Sequence, residues 1–104
     1  TGEPFAFAGL WESWRDPEGT TVRSCTIITT GPNSLIEPIH NRMPVILSRD
    51  DEARWLDPEM DDPPSLLQML APYPQGAMDA YEISTLVNSP ANDVPDCIER
   101  LRLL

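Results

Sequence analysis

The sequence predicts an α+β chain that opens with an antiparallel hairpin and continues through short helices and further short strands. Two apolar runs carry the hairpin. Phe5-Ala6-Phe7-Ala8-Gly9-Leu10-Trp11-Glu12 is rich in aromatics, and Ser24-Cys25-Thr26-Ile27-Ile28-Thr29-Thr30 lies in a stretch, residues 22–30, that is β-branched almost throughout. Between them Asp16-Pro17-Glu18-Gly19 is a strong turn signal. The third observation is the count of twelve prolines, which cut the rest of the chain into short elements.

Gly31-Pro32-Asn33 breaks the second strand. Asn33 is placed to cap a short helix over residues 34–39, with Ser34 and Glu37 as an alternative capping box. His40 follows that helix, then Pro44, then a short buried strand over residues 45–47. Ser48-Arg49-Asp50-Asp51-Glu52 opens a second helix whose acidic first turn suits the helix dipole; Ala53, Trp55 and Leu56 supply its apolar contacts. Pro58 ends it. Ser65 is expected to cap a third helix over residues 66–70, stopped by Pro72. Residues 81–88 read as a strand with Ile83 and Val87 on one face, and residues 89–104 as a proline-bearing loop with a short apolar end.

At 104 residues the chain is one domain or part of one, and its 40% hydrophobic and 23% charged content is that of a globular protein. The first residues lack an initiator methionine and lead at once into a strand, which suggests a fragment or a processed chain. The net charge is −10, and Asp50, Asp51, Glu52, Asp57, Glu59, Asp61 and Asp62 crowd into one segment against Arg54 alone. Such a run marks a solvated face. All seven basic residues are arginine, so a lysine Schiff base and a lysine phosphate clamp are excluded. Bulk charge does not favour nucleic acid, which needs a local basic patch. One His and two Cys without CxxC spacing cannot furnish the four ligands of a structural zinc site, and no metal or other cofactor is expected. Cys25 is expected to be buried. No apolar run reaches membrane-spanning length and no signal peptide is visible, so the expected location is cytoplasmic, with the nucleoid.

The candidate chemistry centres on Ile39-His40-Asn41-Arg42-Met43-Pro44-Val45-Ile46-Leu47, which holds the single histidine. An imidazole gives and takes protons near neutral pH, and an arginine two residues on can grip a phosphate in bidentate fashion. The plainer alternatives are a hydrogen-bonded structural histidine and an Arg42 salt bridge to a nearby carboxylate. Of the three tryptophans, Trp11 and Trp55 follow core patterns, which leaves Trp14, beside the turn, as the candidate for stacking on a base.

Taken in order, the 5–12 and 24–30 runs, Asn33, the 39–47 block, Trp55-Leu56, Ser84 with Val87-Asn88, and Cys97-Ile98 resemble the SOS-response-associated peptidase (SRAP) family of abasic-site processing proteins. The resemblance spans residues 1–104 and covers the C-terminal portion of a single SRAP-like domain. It implies an α+β fold with a mainly antiparallel, barrel-like sheet and short flanking helices. It also implies an intact protein that binds single-stranded DNA, traps abasic sites covalently and removes its own N-terminal residues. The family's nucleophile is a cysteine that becomes the mature N-terminus and closes a thiazolidine with the abasic aldehyde. That cysteine, an asparagine-arginine pair and a catalytic glutamate lie upstream in the family, and Thr1 cannot replace the cysteine. His40 is the catalytic position that carries over, and Asn41 stands where the family most often has aspartate. Gly9-Leu10-Trp11-Glu12-Ser13-Trp14 mimics the family's glutamate motif, but its place before the 22–30 strand makes Glu12 a strand-end residue.

The resemblance thus implies a DNA-crosslinking protein of which this piece alone is inactive, with dimerisation or strand exchange through uncovered sheet edges. The alternative is a non-enzymatic module whose acidic surface binds a basic protein and whose His40 is structural. A cysteine peptidase built on Cys25 and His40 lacks any electropositive setting to form a thiolate.

Overall fold

The structure is a computed structural model that describes residues 2–102. Three chain segments form its sheet region. The first carries β1 (Ala6–Phe7) and β2 (Gly9–Arg15), the second β3 (Thr21–Ile27) and β4 (Thr29–Thr30), the third β5 (Met43–Pro44) and β6 (Ile46–Leu47). Each segment changes partner at its middle. β1 pairs with β6, β2 with β3 and β4 with β5, all antiparallel.

The residues at which the segments part are Ala8, Ile28 and Val45, and they close a ring of backbone hydrogen bonds. The Ala8 amide donates to the Val45 carbonyl (2.8 Å), the Val45 amide to Ile28 (2.9 Å), and the Ile28 amide to Ala8 (2.9 Å). This three-way junction satisfies every one of those amides where ordinary ladders end. It also corrects the barrel expectation: among the described residues the strands form three two-stranded sheets, none closed into a barrel. Closure needs each strand to keep neighbours on both sides along its length. Here the arms of the junction diverge, and β2–β3 leaves as a free hairpin. The expected strands 5–12 and 22–30 are accordingly each split, and the 45–47 strand is divided at Val45.

The hairpin turn is built as its sequence requires. Arg15 pairs with Thr21, Asp16 and Thr20 share a backbone bond of 2.9 Å, and Gly19 takes φ +86°, the left-handed position of a three-residue loop. The Asp16 carboxylate accepts from the amides of Glu18 (2.9 Å) and Thr20 (2.8 Å).

One face of the junction carries Ala8, Val45 and Leu47, and with Met69 they form the buried core. Two helices cover it. α1 (Arg49–Leu56) is capped by Ser48, whose hydroxyl accepts the Asp51 amide at 3.3 Å, and it contributes Trp55. The Trp55 indole also donates to the Gly9 carbonyl at 3.0 Å. Gly9 is the first paired residue of β2, and the pairing there is close: a Cβ on Gly9 would approach the Thr26 carbonyl oxygen to 3.0 Å. α2 (Pro63–Gln68) contributes Leu66.

Several expectations change. Leu56 is exposed, not packed. α2 starts two residues before Ser65, because Pro63 and Pro64 suit the first helical positions; its N-cap is Asp62, and Ser65 donates its hydroxyl to the Asp62 carboxylate from inside the helix. Residues 34–39 form hydrogen-bonded turns and no helix, since Pro38 has no amide to continue the ladder. Residues 81–88 are not a strand. Ile83 makes one bridge to Arg100, and Thr85–Asn88 is a 3₁₀ turn capped by Ser84. Two further 3₁₀ turns lie at Gln75–Ala77 and Pro95–Ile98.

Candidate functional site

His40 closes the turn region 34–39, and Asn33 sets that region's position. The Asn33 side-chain oxygen accepts the Ile36 amide (3.1 Å) and its amide nitrogen donates to the Tyr73 carbonyl (2.7 Å), so one residue caps the turn and ties it to a segment forty positions away. The His40 amide in turn donates to the Ile36 carbonyl (2.9 Å).

The His40 ring is exposed, and its own loop holds it. Nδ1 accepts the Arg42 amide at 3.0 Å and lies 3.0 Å from the Arg42 carbonyl oxygen. A neutral ring with its proton on Nε2 takes the first bond; a ring protonated on Nδ1 donates in the second. Nδ1 therefore has a backbone partner in either charge state. Nε2 makes no hydrogen bond among the described residues, so it is the atom left to meet a ligand. Asn41 does not bond the ring; the Arg42 backbone does the orienting.

The Arg42 guanidinium is anchored on one residue. It donates to the Thr29 carbonyl (2.8 Å) and to the Thr29 hydroxyl (3.1 and 3.3 Å). The expected alternative, a salt bridge to a carboxylate, is replaced by this neutral clamp. The positive charge is oriented without being neutralised, which leaves it competent to meet an anion. Thr29 is the residue that sequence reasoning missed. Nothing local signals it, because its partner lies thirteen positions on.

Other candidates fall elsewhere. Trp11 is 74% exposed and Cys25, directly opposite it on β3, is also exposed, so both expected core residues are corrected. The helices meet only the base of the hairpin: Trp11 borders a shallow concavity with Trp55, Leu56, Met60 and Leu66 but is not covered by them. Trp14 is exposed as expected, but alternation along β2 puts it on the face opposite Trp11. Glu12 sits mid-strand, opposite Ser24, and not at a strand end. Trp55 is half-buried against the core. Cys97 is a buried free thiol whose Sγ lies 3.5 Å from the Asn92 carbonyl. A concavity of about 420 Å³ lined by Phe5, Ile46, Arg49, Tyr73 and Met78 includes neither His40 nor Arg42. A volume is not a chemistry, and none of the sequence-predicted site residues His40, Arg42 and Trp14 lines it.

A mixed α/β chain with antiparallel pairs and an exposed, backbone-oriented histidine beside an anchored arginine is the class these features define. Its sequence matches the family described as SOS response associated peptidase (SRAP) over residues 1–90. The chain belongs to that family. It is 55% identical over 95 residues to the abasic site processing protein YoqW of Bacillus subtilis, covering 91% of this chain and 42% of that protein. To the abasic site processing protein HMCES of Xenopus tropicalis it is 34% identical over 98 residues, covering 92% and 29%. A solved structure of a Bacteroides thetaiotaomicron protein superposes with a TM-score of 0.83 at 33% identity, covering 97% of this chain and 45% of that one. The chain thus spans less than half the length of the relatives it matches. Among its described residues no helix is long and apolar enough to cross a membrane.

Proposed function

We propose that these residues are the C-terminal portion of a single SRAP-type domain whose intact form senses abasic sites in single-stranded DNA and crosslinks to them. In this reading an N-terminal cysteine upstream provides the nucleophile, as the family resemblance implies. Its amine condenses with the aldehyde of the opened sugar and releases water; its thiol then adds to the imine and closes a thiazolidine. Exposure of the same cysteine by autoproteolysis precedes that step. Cys25, in mid-strand, and Cys97, buried, are not placed to act in its stead.

His40 moves protons through Nε2, giving one to the ring oxygen as the sugar opens and taking one when the crosslink reverses. Arg42 holds a backbone phosphate beside it. Trp14, on the other hairpin face, is left to apolar or base contact away from that phosphate. The protein would act where DNA is, in the nucleoid. One observation carries the reading: Nδ1 of His40 is fixed by the Arg42 backbone, Nε2 is open, and the Arg42 guanidinium is anchored alongside by Thr29 without a carboxylate.

Intact-mass spectrometry after incubation with an abasic single-stranded oligonucleotide tests it. The full-length protein should gain the mass of the oligonucleotide, while the 104-residue chain stays at 11.6 kDa. His40→Ala in the full-length protein should slow adduct formation or reversal by about 10²–10⁴-fold, the usual range for removing a proton-transfer group. Unchanged rates in that variant would overturn the role given to His40. An adduct on the short chain would overturn the assignment of the nucleophile to an upstream cysteine.

A further inference from the structure

In a chain of net charge −10, the arginines divide into two kinds. Arg49, Arg54 and Arg100 are paired with Glu3 (3.0 Å), Asp51 (3.2 Å) and Asp79 (3.5 Å). Arg15, Arg23, Arg42 and Arg102 form no ion pair among the described residues. Arg102 lies at the far end of the described chain, and the register of the hairpin brings the other three together.

Directly opposed residues of an antiparallel pair share a face, and alternate residues along a strand share it too. The pairs Trp11–Cys25, Ser13–Arg23 and Arg15–Thr21 therefore lie on one face of β2–β3. Counting onward by twos along the second segment from Arg23 and Cys25 reaches Ile27 and then Thr29, the anchor of Arg42. Ile28, between them, turns to the core on the other side. The hairpin face thus carries exposed Trp11 midway and Arg23 and Arg15 towards the tip, and Thr29, two residues past the end of β3 across the junction, holds Arg42 next to its base. No strand carboxylate shares it: Glu12 points to the opposite face with Leu10 and Trp14. The turn beyond Arg15 adds Asp16, whose carboxylate is oriented by two backbone amides, and Glu18. Arg15 donates through Nε to the Gly19 carbonyl (3.3 Å), which leaves its terminal nitrogens available.

We propose that this hairpin face is a track for the backbone of single-stranded DNA, extending the Arg42 phosphate contact through Arg23 to Arg15, with Trp11 as a stacking platform for a base. The proposal rests on the single-strand reading above and adds to it a second set of contacts and a direction. From Thr29 to Thr21 is roughly 27 Å at the rise of an extended strand. That is room for about four nucleotides, the lower end of site sizes in folds that combine basic grooves with aromatic platforms. Local charge decides here against bulk charge, because no strand carboxylate lies on this face; the acidic segment 50–62 is on other elements and meets the hairpin only at its base, where Leu56 and Met60 border the same concavity as Trp11. Contacts to phosphates and to the face of a base read no base edge, so the track binds sequence-independently and sets how far the protein reaches along DNA.

Anisotropy titrations of a dye-labelled, undamaged oligothymidylate over a range of salt concentrations test the track. Three phosphate contacts to a single strand give a slope of log K against log salt of about −2, and Arg15→Ala/Arg23→Ala should reduce it to about −0.7. Trp11→Ala should weaken binding about fivefold or more, with its salt slope unchanged. Arg49→Ala/Arg54→Ala, on α1, should change neither. If the Arg15/Arg23 variant keeps the parent's affinity and slope while Arg42→Ala loses binding, the track is wrong and the single-strand reading stands. If the parent binds neither undamaged nor abasic single strands, both are overturned. Because Arg15, Arg23 and Trp11 are exposed, these variants should fold like the parent, which far-UV circular dichroism checks.

Discussion

At the scale of single residues, the site is organised by hydrogen bonds to uncharged acceptors. Arg42 is held by the hydroxyl and carbonyl of Thr29, and His40 by the backbone of Arg42. An ammonium cannot reproduce the planar fork that reaches both Thr29 oxygens at once. Arg42→Lys is therefore expected to weaken oligonucleotide binding although charge is kept, while the urea midpoint moves little, since the contact is exposed. Asn33 behaves oppositely. Its side chain caps the turn before His40 and donates to Tyr73, so Asn33→Ala should lower stability by about 1–2 kcal/mol in urea unfolding. The adjacency of His40 and Arg42 was legible from their spacing. The Thr29 clamp and the Tyr73 tie were not, because each joins segments that only the fold brings together.

At the scale of elements, caps and junctions do different work. Ser48 is a true N-cap of α1, and Ser48→Ala should cost about 1 kcal/mol; Ser65 lies inside α2, and Ser65→Ala should cost less. Thermal unfolding of the two variants side by side checks the order. Val45 is fully buried at the point where three segments meet, so Val45→Ala leaves a cavity that three arms bound. We expect a loss of about 2 kcal/mol, with hydrogen exchange accelerated at the amides of Ala8, Ile28 and Val45 together. Protection at Ala8 and Ile28 unchanged from the parent in that variant would mean that the ring is not cooperative. The turn at Gly19 and the start of α1 followed from local sequence. The helix expected at 34–39 failed because one proline outweighs a good cap.

At the scale of the molecule, the chain is larger in outline than its mass implies. Its radius of gyration is 17.7 Å and its extents are 56 × 36 × 25 Å, whereas a compact domain of this length has a radius of about 13 Å. Its accessible surface of 8776 Å² compares with about 5,800 Å² for a compact monomer of this mass. The excess is of the size that a substantial interface buries. It includes Leu10, Trp14 and Val22 on the hairpin face opposite the arginines. The chain by itself is expected to self-associate through that apolar face. Sedimentation velocity should show a concentration-dependent dimer that Trp14→Ser weakens and Arg23→Ala does not; a monomer at all concentrations would remove this expectation.

By itself the sequence determined the hairpin, its turn, the first helix and the placement of His40 beside Arg42, because each depends on neighbours a few positions apart. It also carried the family, through motifs in a recurring order. Only the tertiary structure decided that the strands exchange partners at Ala8, Ile28 and Val45, that Trp11 and Cys25 face outwards, and that Arg15 and Arg23 share a face with Arg42 held next to its base. An alternating or β-branched pattern shows that a strand forms and which residues go together. Which face is covered depends on what packs against it, and that is fixed by contacts between segments far apart in the chain.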